Sequence, residues 1–417
     1  MCEYGYMMYL ASHRRLNLAL TLICLCLALV SPAQSQLQPG DSTVMVLPDS
    51  SNFVTASLIV ASPGKPIYSV FGHCAIRMQC PAHHLDYVYS QSTDPDASNF
   101  CLFFAGKNKI SVLAIPTEDY LADFKRDGRG VKQYELNLTH HEKQRLWQLL
   151  DNSIMRDAPL NFDMLNENCV NMTMLMLERC LINEQFDAGE LPEQMLLSNG
   201  EIIRYHSAKS PWAEFLFITF AGTACDGSEA LERKLSPEFI VPVLQGATFV
   251  SNDGYRRPVL TGEVKELLPQ LLEDRQSALT PTMVFAMLFG FIFVITLLEW
   301  IKGWHTLANV TDAVLFVVQT FVGILLTCTT FVSSLFGTHW NWYLIPFCPL
   351  AIVLWFAFRR RKAVSTIYLL FTIILIIFLL LTPMSSQLDL PHQLITATFA
   401  VRTASNYLNV KKIAFNI

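Results

Sequence analysis

The stretch Asn166-Glu167-Asn168-Cys169-Val170-Asn171 sets a cysteine between a polar run and an apolar one. Beyond it, methionine and leucine recur at helical spacing, which predicts a helical stretch over Phe162–Leu181 with one buried face. The positive end of a helix dipole favours a thiolate over a thiol, and so does a neighbouring imidazole. A cysteine that opens an apolar helix is therefore a candidate nucleophile, provided that the fold supplies the imidazole.

The residues upstream of this helix are typical of strands and one further helix. Phe53–Ala61, His73–Met78 and Leu85–Ser90 are rich in β-branched and aromatic residues with rough alternation, so each predicts a strand. Asn137–Leu150 predicts a helix, because its Thr-x-x-Glu sequence at 139–142 forms a capping box. The second strand begins with a histidine, and packing against the cysteine helix would bring that imidazole to the thiol.

The composition is too apolar for one ordinary soluble domain. Hydrophobic residues make up 52% of the 417 residues and charged residues 16%, with a mean hydropathy of +0.33. Part of the chain must therefore lie in lipid. The net charge of -5 provides no broad basic surface, which argues against nucleic acid as a partner.

The first 35 residues have the features of an export signal. A basic patch at 13–15 precedes an apolar run over 16–30, and small residues around Ala33 and Ser35 suit cleavage. An uncleaved anchor helix is the alternative, although a run of about 15 residues is short for a membrane span. An oxidising compartment would permit disulfides, but we expect one at most and a free Cys169. Six cysteines lie in the exported part, at positions 74, 80, 101, 169, 180 and 225.

The second part of the chain, from about Thr282 onward, is predicted to be a membrane domain. Four apolar stretches there are long enough to cross the hydrocarbon layer, and a weaker fifth from Gln393 to Val410 could instead be an interfacial helix. The four are Met283–Ile301, Ala313–Phe336, Trp342–Phe358 and Ala363–Thr382. The basic loop at 359–362 then falls in the cytoplasm by the positive-inside rule, which agrees with an exported N-terminal part.

An ordered set of motifs adds a resemblance to these patterns. The motifs are Phe-Gly-His-Cys-Ala-Ile-Arg at 71–77, Asp-Tyr-Val-Tyr at 86–89, Asn99-Phe100 with Phe104 and Gly106, Leu-Asn-Leu-Thr at 136–139 and Asn168-Cys169. Together they resemble the Lnb-type lipoprotein N-acyltransferases of the bacterial envelope. The resemblance implies an α+β permuted papain-like (NlpC-like) periplasmic domain followed by an all-α bundle of about five transmembrane helices. The expected parts are a signal peptide (1–35), a periplasmic thiol-enzyme domain (36–265), a linker (266–282) and a transmembrane domain (283–410).

The resemblance also implies a site. Cys169 would be the nucleophile and His73 its acid and base, with Asp86 expected to accept a hydrogen bond from the imidazole. Asp86 could equally be a turn residue at a strand end. Expected substrate contacts are Arg77 toward a lipid phosphate, Asn168 beside the thiol, and His339 and Asn341 in an outward-facing loop at the membrane surface. No metal or cofactor is expected.

The implied reaction is transfer of a fatty acyl chain from a lipid ester to the α-amine of a lipoprotein's N-terminal cysteine. The expected location is the bacterial inner membrane, with a membrane lipid as donor and a lipoprotein as acceptor. Two alternatives remain open. One is a membrane-anchored cysteine amidase or peptidase that acts on cell-wall peptides. The other is a non-enzymatic membrane receptor or assembly factor in which Cys169 is inert.

Overall fold

The computed structural model describes residues 54–65, 69–93, 106–107, 109–155, 160–161, 163, 167–190, 197–226, 237–271, 279–333, 335, 338, 340–358, 364–381 and 389–415. The predicted signal peptide lies outside these ranges. Residues 51–417 form one compact unit, so the N-terminal domain and the C-terminal helices share contacts throughout the described part of the chain.

A seven-stranded antiparallel sheet lies at the centre of the N-terminal domain, in the order β10-β5-β1-β2-β3-β4-β6. The three predicted strands are confirmed as β1, β2 and β3, which are adjacent in the sheet. The strands are β1 Thr55–Ala61, β2 His73–Cys80, β3 Leu85–Thr93, β4 Lys109–Pro116, β5 Val131–Leu136, β6 Leu160–Asn161 and β10 Leu260–Leu268. A small second sheet contains β7 Glu184–Asp187, β8 Thr248–Ser251 and β9 Arg256–Pro258, in the order β7-β8-β9.

Helices cover both faces of the large sheet. Successive residues of β2 point to opposite faces, so Ala75 and Ile76 pack against different helices. α1 (Thr117–Arg126) packs over Ala75, while α2 (His140–Met155) and α3 (Cys169–Cys180) pack over Ile76. The predicted capping box of α2 is confirmed, since the backbone N–H of Thr139 donates to Glu142 at 2.8 Å and the Glu142 N–H donates back to the Thr139 hydroxyl.

Three further helices of the N-terminal part are α4 (Asn199–Ser207), α5 (Pro211–Ala221) and α6 (Pro237–Gly246). A 3-10 turn over Gly222–Asp226 follows α5 directly. Buried residues of α4 and α5 belong to the same apolar core as residues of the C-terminal helices, including Ile292. α5 therefore joins the thiol domain to the helical region.

The helical region contains α7 (Pro281–Lys302), α8 (His305–Phe331), α9 (Ala351–Phe358), α10 (Val364–Leu381) and α11 (Leu390–Phe415). Among the described residues, α7 and α8 are long and apolar enough to cross a membrane, and the apolar part of α10 is shorter. These two helices confirm the first two predicted spans as helices.

The third predicted span, Trp342–Phe358, is wrong as a continuous helix. It consists of a 3-10 turn, a non-helical stretch around Pro346 and Pro349, and the short α9. Proline lacks the N–H that a helix interior requires and clashes with the preceding turn, so the backbone leaves the helix there. The side chain of Gln319 donates to the freed Pro346 carbonyl.

The weak fifth span is a helix, α11, and its internal charge is paired. Arg402 is 1% exposed and donates to both carboxylate oxygens of Asp312 on α8 at 2.6 and 2.9 Å. It also donates to Glu299 on α7 at 3.0 Å. A buried guanidinium is tolerated when it is ion-paired and hydrogen-bonded in this way, and here it ties three helices together.

Candidate thiol site

Cys169 is the first residue of α3, as the sequence predicted. Its neighbour Asn168 is the N-cap residue, and the Asn168 side-chain oxygen accepts hydrogen bonds from the N–H groups of Val170 and Asn171 at 2.9 and 3.0 Å. The cap fixes the start of the helix, so the Cys169 sulfur lies at the positive end of the helix dipole. Cys169 as a residue is only partly buried.

His73 is the first residue of β2 and follows a glycine that the turn requires. Gly72 has φ of 82°, and a Cβ there would lie 2.8 Å from the carbonyl oxygen of Ala61. The imidazole is fixed from two sides: Nε2 lies 2.8 Å from the Ser90 hydroxyl, and the ring stacks on Phe124 at a centroid distance of 6.4 Å. With Nε2 engaged by Ser90, Nδ1 is the ring nitrogen left for a thiol partner.

Two neighbours stabilise the thiolate of Cys169. A hydrogen bond from the Cys74 thiol contributes most, and the charge of His73 and a hydrogen bond from its ring add to it. Together they hold the pKa of Cys169 well below its usual range, although burial acts in the opposite direction. The arrangement therefore favours the thiolate form of Cys169.

The pKa of Cys74 is shifted in the opposite direction, upward. Cys74 is completely buried on β2, and burial raises its pKa well above the usual value, with the adjacent Cys169 raising it further. Its sulfur also lies 3.6 Å from the Thr173 hydroxyl, one turn along α3 from Cys169. Cys74 thus stays a neutral thiol that donates to Cys169.

The expected hydrogen bond between His73 and Asp86 is wrong. Asp86 pairs in register with Gln79, six residues along β2 from His73, which places the two side chains on the order of 20 Å apart at about 3.3 Å per residue. The Asp86 carboxylate instead accepts two hydrogen bonds from Arg77, at 2.8 and 2.6 Å, and one from Thr117 at 2.6 Å. Burial alone would raise the pKa of Asp86, but these donors lower it.

The same contacts contradict the expected role of Arg77. Its guanidinium donates to Asp86 and, at 2.6 Å, to Gln133 on β5, and its side chain is 12% exposed. The donor groups that a lipid phosphate would need are used within the sheet. Arg77 and Asp86 therefore stabilise the sheet at a distance from the thiol.

The structure also contradicts the predicted contact of Asn341 with the membrane surface. Asn341 is fully buried rather than exposed: its amide donates to the carbonyl of Thr219 at 2.8 Å and its oxygen accepts from the Tyr343 N–H at 2.9 Å. These bonds tie the loop to α5 and leave no group for a lipid headgroup. His339 lies outside the described residues. Asn168 serves as a helix cap, and a direct substrate contact from it stays a prediction.

Sequence reasoning missed Cys74, Ser90 and Phe124 as members of the site. Cys74 was visible as the residue beside His73, but a lone buried cysteine gives no sign of its partner. Ser90 stands at the end of the third predicted strand, and only the pairing of Tyr89 with Ile76 brings it level with the start of β2. Phe124 lies on α1, distant in sequence from both.

The site and the fold define a class: a membrane protein with a cysteine–histidine site in an N-terminal α/β domain. The comparison with protein families makes this specific. The Lnb N-terminal periplasmic domain matches residues 49–200, and the Lnb transmembrane domain matches residues 273–413. The chain belongs to the Lnb family, with its N-terminal domain in the periplasm and its C-terminal helices in the membrane. Searches of curated proteins and of solved structures found no match.

Proposed function

We propose that this protein is a lipoprotein N-acyltransferase that works through a thioester on Cys169. The observation that carries the proposal is the Cys169 thiolate, which His73 and Cys74 stabilise at the start of α3. The chain continues into a family-matched transmembrane domain, which supports a substrate in the membrane rather than a soluble peptide. A single anchor would suffice for a cell-wall amidase, whereas a shared apolar core with several helices suits a lipid ester.

The reaction divides into two acyl transfers. The Cys169 thiolate attacks the ester carbonyl of a membrane lipid, and the His73 imidazolium gives its proton to the departing alcohol oxygen as the C–O bond breaks. The α-amine of the lipoprotein then attacks the thioester, and His73 takes up the amine proton. An amide forms and the Cys169 thiolate is regenerated. The backbone N–H of Cys169, which lies outside the Asn168 cap, can stabilise both oxyanions.

We infer that Ser90, not a carboxylate, is the residue that orients His73. A hydroxyl bonded to Nε2 holds the ring with Nδ1 toward the sulfur, as a triad's third member must. The histidine strand precedes the cysteine helix in the chain, the reverse of the papain order, and this supports the permuted papain-like interpretation of the periplasmic domain. The five helices α7 to α11 support a bundle of about five spans, although α9 covers only part of one.

The test measures lipoprotein acylation in cells whose only copy of the protein carries Cys169→Ala. Mass spectrometry of lipoprotein N-terminal peptides should show loss of the N-linked acyl chain and accumulation of the diacyl form with a free amine. Cys180→Ala is the matched control: Cys180 ends the same helix, and burial raises its pKa to about 12, so it should leave acylation unchanged.

Unchanged N-acylation in the Cys169→Ala cells would refute the proposal. A second assay separates it from the cell-wall alternative. Purified protein is incubated either with a diacyl lipopeptide and phospholipid or with peptidoglycan fragments. N-acylated lipopeptide is expected in the first mixture, and cleaved stem peptide in the second would favour the amidase.

A further inference from the structure

Helix α5 of the periplasmic part is strongly apolar, and one of its faces is partly exposed. Phe217, Ile218 and Phe220 are buried in the core shared with the membrane helices. On another face, Trp212 and Leu216, one helical turn apart, are 36% and 38% exposed. Both are large apolar side chains on one exposed face of the helix. This part of the chain lies between the two family matches.

Both ends of α5 are fixed to the outer ends of membrane helices. At its start, the Trp212 indole donates to the Leu279 carbonyl at 2.9 Å and meets Phe285 of α7 edge-on at 6.1 Å. At its end, the N–H of Thr223 donates at 3.0 Å to the carbonyl of Trp340, in the loop that follows α8. In the middle, the Thr219 hydroxyl lies 2.8 Å from His392 in the first turn of α11.

These three attachments fix the direction of the α5 axis relative to the membrane. α7 enters the membrane from the periplasmic domain, α8 returns to that side, and α11 starts there, so all three contacts lie at one membrane level. An eleven-residue helix is about 16 Å long. A helix of that length, fixed at both ends to the same level, lies along the membrane plane rather than across it.

The start of α7 also presents apolar side chains, since Met283 and Met287 in its first two turns are 53% and 57% exposed. At the other end of α5, Trp340 and Trp342 are 41% and 45% exposed. Tryptophan is enriched at the membrane–water boundary because its ring is apolar and its N–H is polar.

We propose that α5 lies in the headgroup–acyl boundary of the periplasmic leaflet, with Trp212 and Leu216 in contact with phospholipid. The other side of α5 reaches the thiol site. Phe217 packs edge-on against Phe71 at 5.1 Å, and Phe71 is two residues from His73. The helix thus sets the height of the site above the lipid. The inference depends on membrane insertion of the chain and not on acyl transfer.

The test uses the full-length protein in proteoliposomes made with phospholipids that carry bromine at one depth of the acyl chain. Bromine quenches nearby tryptophans, and the difference between wild type and Trp212→Phe isolates the Trp212 signal among the seven tryptophans. We expect that signal to fall most with bromine near the headgroup end of the chain. Trp147→Phe is the control: Trp147 lies on α2 and donates to the Tyr89 hydroxyl, so its signal should not fall.

A gain of signal provides a second measurement that does not depend on removing Trp212. In the W212F background, L216W should restore a quenched signal, whereas L113W should not. Leu113 on β4 has a similar exposure of 42% and lies on the sheet. An unquenched Trp212 and an unquenched L216W, in vesicles where the α7 residue Trp300 is quenched, would overturn the proposal. That result would leave the acylation assay of Cys169 unaffected, so the two proposals fail separately.

Discussion

Replacement of Cys74 by alanine should raise the pKa of Cys169. A hydrogen bond from the Cys74 thiol is the largest single contributor to the low pKa of Cys169, and alanine cannot donate one. Hydrogen bonds to charged groups contribute about 1.5–3 kcal/mol. A thiol is a weak donor, so we take the lower end, which corresponds to about a tenfold change in the thiolate fraction.

The assay is the rate of alkylation of Cys169 by iodoacetamide as a function of pH, followed by mass spectrometry of the peptide that contains it. Only the thiolate reacts, so the rate rises with pH around the pKa of Cys169. In Cys74→Ala the midpoint should move to higher pH. Below both midpoints, alkylation should be about tenfold slower than in wild type, because one pKa unit is a tenfold change in thiolate fraction.

Two controls separate the hydrogen bond from a packing defect. Cys74→Ser keeps a donor and should return the midpoint close to that of wild type. Cys74→Ala opens a small cavity at a fully buried site, so thermal unfolding of each variant must show that the domain remains folded. An unchanged midpoint in folded Cys74→Ala would refute the reasoning and leave His73 and the helix dipole as the sources of the low pKa.

Two other predictions follow from the site. Ser90→Ala removes the hydroxyl that holds His73. The loss of about 1 kcal/mol should slow acyl transfer roughly fivefold without abolishing it, measured as initial rates with a diacyl lipopeptide. Equal rates in the variant and wild type would mean that Phe124 alone orients the ring. Asn168→Ala removes the cap of α3 and should lower the free energy of unfolding by about 1 kcal/mol, measured by thermal or chemical denaturation. Asn168→Asp, which keeps an acceptor, is the matched control and should retain most of that stability.

The parts of the structure that depend on local sequence were predictable. The Thr139 capping box, the three strands and the position of Cys169 at a helix start all follow from residues close together in the chain. The partner of His73 was not predictable, because the register between β2 and β3 decides that Ser90 and not Asp86 lies beside it. That register depends on pairing across the whole sheet.

The prediction of the third membrane span was wrong for a similar reason. Hydropathy depends on side chains alone, so it predicted a helix in the apolar stretch after Trp342. The prolines in that stretch leave backbone carbonyl groups without a partner in a helix, and a neighbouring element has to supply one. That neighbour is α8, where Gln319 binds the Pro346 carbonyl and where a Cβ on Gly323 would overlap the carbonyl oxygen of Phe347. The burial of Asn341 likewise depends on α5, far away in the sequence.

The shared core around α5 limits the reach of the thiol. A catalytic head on a flexible tether could swing outward and sample the cell wall, but here Phe217 contacts Phe71 while Phe215 packs against Phe285 at 5.1 Å. Cys169 is therefore held in place, and for the proposed acyl transfer its substrates would reach it by diffusion within the plane of the membrane. Expression of the periplasmic domain alone would expose buried residues of α5 such as Phe217 and Ile218 to water, so we expect that domain to be less stable than it is in the full chain.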